Sequence, residues 1–134
     1  MEEQFENPVF NKSAGKFYSV HKAQPLKDTY YNAKLAVGLK ETEFVRSEFF
    51  GIEKITHLLK QDGCVGIRVH YAKRWEDEDG RETTPENGKL TPRLLLTAVD
   101  DRGRDILKDL TGLKDGNDDG IVADGYTCPK HCPN

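Results

Sequence analysis

The spacing of apolar residues changes from a helical to a strand period at Gly63, and this change limits the folds open to the chain. Before Gly63, apolar residues recur every three or four positions, which predicts an amphipathic helix capped by Ser47. Its apolar seam consists of Phe49, Ile52, Thr56 and Leu59, widened by Ile55 and Leu58. After Gly63, the stretch CVGIRVHYA alternates apolar and polar residues, as a half-buried strand does. The buried face of this strand is expected to hold Val65, Ile67, Val69 and Tyr71.

Two further segments predict the remaining regular structure. An apolar stripe before Gly38 predicts a first helix, which is capped by Ser19 or starts near Pro25. The stripe consists of Leu26, Tyr30, Ala33 and Val37. Residues 93–100 are apolar on both faces at their centre, which predicts a central strand. Residues 104–107 follow the turn signal DDRG and predict a short third strand.

Together these elements predict an α+β fold, with two helices packed on a small antiparallel β-meander and a loop-rich C-terminal tail. The length of 134 residues is typical of a single domain spanning 1–134. We expect residues 1–18 to form an extended arm and residues 19–113 to form the core. Residues 114–134 form the tail, which is rich in Asp, Gly, Cys and Pro.

The distribution of charge argues against two classes of partner. The net charge is −3, and Lys and Arg alternate with Asp and Glu along the chain. Nucleic-acid binders instead show basic stripes, so we expect no nucleic-acid partner. No apolar run approaches the ~20 residues that span a bilayer, and the acidic N-terminus lacks a signal-peptide pattern. We therefore expect a cytoplasmic protein that has no membrane partner.

Two of the three cysteines lie in the C-terminal stretch TCPKHCPN. Together with the distant Cys64, the residues Cys128, His131 and Cys132 would provide the four ligands of a tetrahedral zinc site. Alternatively, Cys128 and Cys132 form a small disulfide in a loop stiffened by proline. A third interpretation is free thiols, which the cytosol favours. We expect no cofactor, with zinc as the alternative.

The stretch DGNDDGIVADGY partly matches the calcium-binding loop of an EF-hand. Asp115, Asn117 and Asp119 occupy positions 1, 3 and 5, and Gly120 occupies the turn position. Position 12 is Tyr126, where a calcium site needs a bidentate Glu. Ordinary turn chemistry accounts for the same cluster of Asp, Asn and Gly without an ion.

The sequence contains no complete catalytic motif. Cys64 could serve as a nucleophile with His57 or His70 as its base, but sequence spacing does not place them within hydrogen-bond reach. The chain has no G-x-S-x-G, phosphate-binding loop or G-x-G-x-x-G. We therefore lean towards a protein without enzymatic activity.

A set of four residues is the candidate surface for a protein partner. Arg68 and His70 share the less apolar face of their strand, Arg93 is expected across from them, and Trp75 lies at the root of a long polar connection at 73–92. Trp and Arg are enriched at interface hot spots. The alternative is that Trp75 covers the open end of the core while the arginines are solvated.

Three ordered landmarks resemble a family of short uncharacterised bacterial proteins of the Bacteroidota type. They are a helix ending in a QxGCxGIR turn and strand, a VxVDxxGxD hairpin and a CPxxCP-like C-terminus. In this chain they read QDGCVGIR, LTAVDDRGRD and CPKHCP. The resemblance covers roughly residues 19–134 and implies little about activity. It implies that the paired Cys-Pro units matter more than His131.

The sequence therefore favours a small, non-catalytic binding or accessory module that acts through a protein partner. The main alternative is a small zinc-binding protein that uses the C-terminal Cys/His cluster. An enzyme of unrecognised type is the weaker alternative.

Overall fold

The protein adopts an α+β fold, as the change of period predicts, and a computed structural model describes its residues 9–107 and 120–133. Within these residues lie two helices and six strands: α1 (Val20–Ala36), β1 (Ser47–Phe49), α2 (Ile52–Leu59), β2 (Gly66–Glu76), β3 (Lys89–Val99), β4 (Asp105–Ile106), β5 (Ile121–Val122) and β6 (Tyr126–Cys128). The chain divides into two compact units. Unit one comprises the described parts of 1–14, 50–73 and 92–125, and unit two those of 15–49, 74–91 and 126–134.

Unit one is built on α2 and a sheet in which β3 pairs with three other strands. β3 neighbours β2, and it pairs antiparallel with β4 and β5. Leu58 of α2 is fully buried in a cluster with Leu96, Ala98 and Val122. Leu96 and Ala98 are two residues apart in β3 and therefore lie on the same face of this strand, which packs against the helix. The predictions of a central strand and a short third strand are confirmed.

The prediction that Ser47 caps α2 is wrong. Ser47 begins β1, because residues 47–49 pair antiparallel with β6 from the far end of the chain. The helix begins at Ile52, with Gly51 as its N-cap residue. A local pattern cannot reveal a strand partner that lies about eighty residues away, so sequence spacing extended the helix over β1.

The predicted seam of α2 is also rotated. Leu58 and Ile55 face the core, while Ile52 and Leu59 are exposed. The helix ends at Leu59, with Lys60 as its C-cap residue, and so stops before the predicted glycine. Gly63, with φ +85°, lies in the turn that follows.

The buried face of β2 is the reverse of the predicted one beyond Ile67. Ile67 packs on the core cluster, but Val69 and Tyr71 on the same face are exposed. With only eight residues, α2 is about 12 Å long and covers a short part of the sheet. The polar side chains of Arg68 and His70 on the other face are half-buried instead.

The turn between β3 and β4 contains a glycine that the structure requires. Gly103 has φ +84°, and a Cβ added there would collide with the ring of Phe10. The Asp100 carboxylate accepts backbone N–H bonds from Arg104 and Arg102, each at 2.9 Å. The pKa of Asp100 is lowered, chiefly by the bond from the Arg104 N–H and further by the Arg102 N–H and the Arg104 guanidinium. Desolvation of the carboxylate opposes this effect. Phe10, which the sequence places in the extended arm, thus belongs to unit one and packs on this turn.

The two ends of α1 follow the sequence signals. The Ser19 hydroxyl accepts from the Lys22 backbone N–H at 3.1 Å, which confirms it as the N-cap. Pro25 lies inside the helix rather than at its start. Gly38, with φ +95°, ends the helix in a Schellman motif, since its N–H and that of Leu39 reach back to carbonyls of the last turn.

The stripe predicted for α1 does not form a core, because no residue of this helix is buried. Leu26 and Val37 are exposed. The contacts of α1 in unit two run through two tyrosines instead. Tyr30 and Tyr31 pack edge-on or tilted against Phe44, with ring centroids 6.2 and 5.7 Å away.

The polar connection at 73–92 is shorter than predicted. β2 continues to Glu76 and β3 begins at Lys89, so residues 77–88 make the connection. Trp75 therefore belongs to a strand of the hairpin rather than to a loop. Within the described ranges, the helices are too short or too polar to cross a membrane.

Candidate functional site

The C-terminal cysteines are bonded to each other in unit two. Cys128 and Cys132 form a disulfide, with Cα atoms 4.5 Å apart. In this oxidised form neither sulfur is a thiolate that could bind zinc. Cys64 belongs to unit one, where its Sγ donates to the Gly66 carbonyl at 3.3 Å. In the part of the chain that the structure describes, no three His, Cys, Asp or Glu side chains are arranged to hold a metal.

A backbone turn brings the two cysteines together. β6 ends at Cys128, and the chain turns over residues 129–131. The His131 backbone N–H donates to the Thr127 carbonyl at 2.7 Å, which closes the turn and returns Cys132 towards Cys128. The predicted zinc site would require the reduced form of this turn and stays a prediction.

Next to the disulfide lies a groove of about 730 Å³, here called the aromatic groove. It is lined by Ser47, Glu48, Phe49, Tyr126, His131, Cys132 and Pro133. Phe49 and Tyr126 are register partners across β1 and β6. Their side chains are 65% and 61% exposed, although burial of such rings is strongly favoured by the hydrophobic effect. Two aromatic residues that are cross-strand partners are therefore presented to solvent beside the disulfide.

Arg46 places a permanent positive charge at the edge of the aromatic groove. Its Nη2 donates to Cys132 Sγ at 3.6 Å, and its guanidinium lies 5.1 Å from the ring centre of Tyr31. The Tyr31 hydroxyl donates to Glu41 at 3.0 Å, and this hydrogen bond is the main reason that the pKa of Tyr31 is raised. Tyr31 consequently stays neutral and offers an intact ring face to the cation.

The histidine of the predicted cluster contacts an aromatic ring rather than a metal. The rings of His131 and Tyr126 meet edge to face, with centroids 4.9 Å apart. His131 is therefore part of the groove wall together with Tyr126.

Arg68 and His70 of the predicted partner surface do lie together, in a polar cluster of unit one. Arg68 forms an ion pair with Asp105 and donates to the Gly103 carbonyl at 3.0 Å. His70 Nε2 lies 3.1 Å from Asp105 Oδ2 and 3.1 Å from Thr97 Oγ1. Because one imidazole nitrogen meets both partners, the cluster does not relay a proton from Asp105 through the ring to Thr97. Its contacts connect β2, β3 and β4.

The other two residues of that predicted surface do not join the cluster. Arg93 is 7% exposed and donates to the Gly125 carbonyl at 2.6 Å, with Asp124 Oδ1 at 3.6 Å. A guanidinium so buried and bonded holds the segment before β6 in place and is not offered to a partner. Trp75 is half-buried and lies in the last part of β2, which belongs to unit two.

The remaining candidate sites are either separated or outside the described residues. The contacts of Cys64 and His70 do not include each other, since Cys64 bonds Gly66 and His70 bonds Thr97 and Asp105. Cys64 and His70 are therefore not paired as nucleophile and base. The calcium-like residues lie outside the described residues: Asp115, Asn117 and Asp119.

Comparison of the chain with family models, with curated proteins and with solved structures finds no match. The resemblance to the Bacteroidota-type family therefore stays a prediction.

Sequence reasoning missed the residues that define the groove. The helical period predicts Phe49 to lie in a helix seam, while Tyr126 and Arg46 carry no pattern of their own. One usable signal was the alternation in YTC, where Tyr126 and Cys128 flank Thr127 and so share a strand face. The pairing of this strand with β1 had no local signal.

Proposed function

We propose that the protein is a small binding or accessory module that acts through a protein partner, and that the aromatic groove is its contact surface. The observation that carries the proposal is the exposure of Phe49 and Tyr126 as a cross-strand pair. Large aromatic side chains at the centre of an interface are the residues on which binding energy concentrates. The two strands fix the backbone beneath the pair, and an aromatic side chain has only two torsions to order on binding.

The chemistry of the groove favours a protein over a nucleic acid. Its walls combine aromatic rings with the carboxylate of Glu48, and the chain carries a net charge of −3. Arg46 at the groove edge is one cation and not the basic stripe that a phosphate backbone needs, whereas an apolar side chain of a partner protein can pack on the exposed rings. We place this partner in the cytoplasm, as the sequence predicts.

Paired variants test the groove. Phe49→Ser and Tyr126→Ser should each reduce partner binding by about 2 kcal/mol or more, which is roughly 30-fold in Kd. The matched control is Tyr71→Ser, because Tyr71 is 91% exposed but belongs to unit one. Tagged wild-type protein and the three variants are used to capture partners from lysate, with quantitative mass spectrometry and circular dichroism to verify folding.

The expected result is a partner retained by wild type and Tyr71→Ser and lost by both groove variants. Equal capture by all four proteins would contradict the assignment of the groove. Absence of any stoichiometric partner of the wild type would contradict the binding function itself.

A further inference from the structure

We propose that Cys128 and Cys132 form a redox-active pair that exchanges disulfides with external thiol compounds, with Cys132 as the nucleophile and Cys128 as the resolving cysteine. The proposal adds a chemical activity and does not depend on the proposed partner. It needs only the pair and an external molecule that carries a disulfide or a thiol.

The first observation is that the two sulfurs differ in access. Cys128 is 4% exposed, whereas Cys132 is exposed on the wall of the aromatic groove. Thiol–disulfide exchange requires one sulfur to approach another directly, so access decides which cysteine reacts with an external molecule. Access selects Cys132 and leaves Cys128 to react only with its neighbour.

The second observation is the cation at the accessible sulfur. Arg46 Nη2 donates to Cys132 Sγ at 3.6 Å, and Arg46 is held by the face of Tyr31. A guanidinium stays protonated at any physiological pH, so it stabilises negative charge on the sulfur once the pair is reduced. The thiolate is the nucleophilic form of cysteine, and basic neighbours increase its population.

The third observation is that the backbone, and not only the sulfur bond, closes the turn. The hydrogen bond from the His131 N–H to the Thr127 carbonyl closes the same turn as the disulfide, one residue earlier at each end. Because this bond involves neither sulfur, it keeps the two cysteines adjacent after reduction. The pair can then open and close without rearranging β6.

The reaction balances with the two cysteines and one external disulfide. The Cys132 thiolate attacks one sulfur of that disulfide, a bond forms between them, and the other external sulfur leaves as a thiolate. Cys128 gives its proton to solvent and attacks Cys132 Sγ, which forms the Cys128–Cys132 bond and releases the second external thiolate. The external disulfide gains two electrons and the pair loses two. Two molecules of an external thiol reverse the sequence.

The test uses the full chain with glutathione as the probe. Reduced protein is mixed with oxidised glutathione, quenched at intervals and examined by intact mass and peptide mapping. Cys128→Ser should accumulate a glutathione adduct on Cys132 at least about tenfold faster than Cys132→Ser accumulates one on Cys128, since access and the cation both favour Cys132. In wild type the adduct should pass on to the Cys128–Cys132 disulfide, and excess reduced glutathione should reopen it in the folded protein.

Arginine variants separate the effect of charge from that of folding. If Arg46 makes the thiolate tenfold more abundant, its loss slows alkylation of Cys132 by only about threefold, because a more basic sulfur is intrinsically more nucleophilic. The measured quantity is the rate at which iodoacetamide alkylates Cys132. We expect this rate to fall in Arg46→Gln, to recover in Arg46→Lys and to stay unchanged in the exposed control Arg102→Gln. The rate at Cys64 is the internal reference in each protein.

The proposal is overturned if Cys128 reacts as fast as Cys132, or if the wild-type pair resists both glutathione forms in the folded protein. It is likewise overturned if Arg46→Gln leaves the rate at Cys132 unchanged. These experiments need no binding partner, so their failure leaves the proposed binding function untouched, and loss of that function leaves them valid.

Discussion

Two adjacent leucines in α2 provide a sharp test of how this helix packs in unit one. Leu58 is 0% exposed and lies in the core cluster, whereas Leu59 is 52% exposed. Truncation to alanine removes the same carbon atoms from the same helix in both cases. Any difference between the two variants therefore reports on burial rather than on helix propensity.

The magnitude follows from the burial of each side chain. For Leu58→Ala, the transfer of three buried carbons is worth about 2.4 kcal/mol, and the cavity left behind raises the loss to roughly 3–4 kcal/mol. For Leu59→Ala, half of the side chain is already in water, so we expect about 1 kcal/mol or less.

Urea unfolding, followed by circular dichroism under non-oxidising conditions, measures both losses. With a slope of about 2 kcal/mol per molar urea, the midpoint should fall by roughly 1.5–2 M for Leu58→Ala and by about 0.5 M for Leu59→Ala. Equal losses, or a larger loss for Leu59→Ala, would refute the orientation of α2 described above and restore the seam predicted from the sequence.

Three further outcomes follow from local geometry. Gly103→Ala should destabilise the protein for two reasons, the collision of the new Cβ with the Phe10 ring and the positive φ. Adding Phe10→Ala should remove only the collision, so that a loss of about 1 kcal/mol from the positive φ remains. A double-mutant cycle followed by thermal unfolding measures both parts. The lowered pKa of Asp100 means that its contribution to stability is present above the unfolded pKa and is lost as pH falls through the folded value, so Asp100→Asn should flatten the acid limb of the pH–stability curve. Reduction of Cys128–Cys132 should lower stability by only about 2 kcal/mol, because the bond closes a very short loop; a loss well above this in urea titrations with and without reductant would contradict the expectation.

The fold class could be predicted because the change of period at Gly63 is a local property. Caps behave in the same way: Ser19 and Gly38 act through backbone groups within one turn, and the structure places both as predicted. The apolar centre of β3 also carried its own signal, since the C-terminal half of this strand is buried on both faces and such strands are apolar on both.

The errors arose where long-range pairing decides the conformation. Ser47 has the chemistry of a helix cap, but β6 recruits it into a strand. Tyr71 has a strong preference for a sheet interior, yet the short α2 does not reach far enough to cover it. The aromatic groove could not be predicted at all, because Phe49 and Tyr126 meet only through that same pairing of β1 with β6.

Site-specific photo-cross-linking tests the role of the aromatic groove most directly. Phe49→p-benzoyl-phenylalanine keeps an aromatic side chain in the groove and reacts only with what touches it, and Tyr71→p-benzoyl-phenylalanine is the exposed control in unit one. The account predicts a discrete adduct of higher mass from position 49 after irradiation in lysate, identified as one protein and absent at position 71. An adduct at position 71 alone would contradict the claim that this groove is the binding surface. So would the absence of an adduct at position 49 when a stoichiometric partner has been shown to bind the protein.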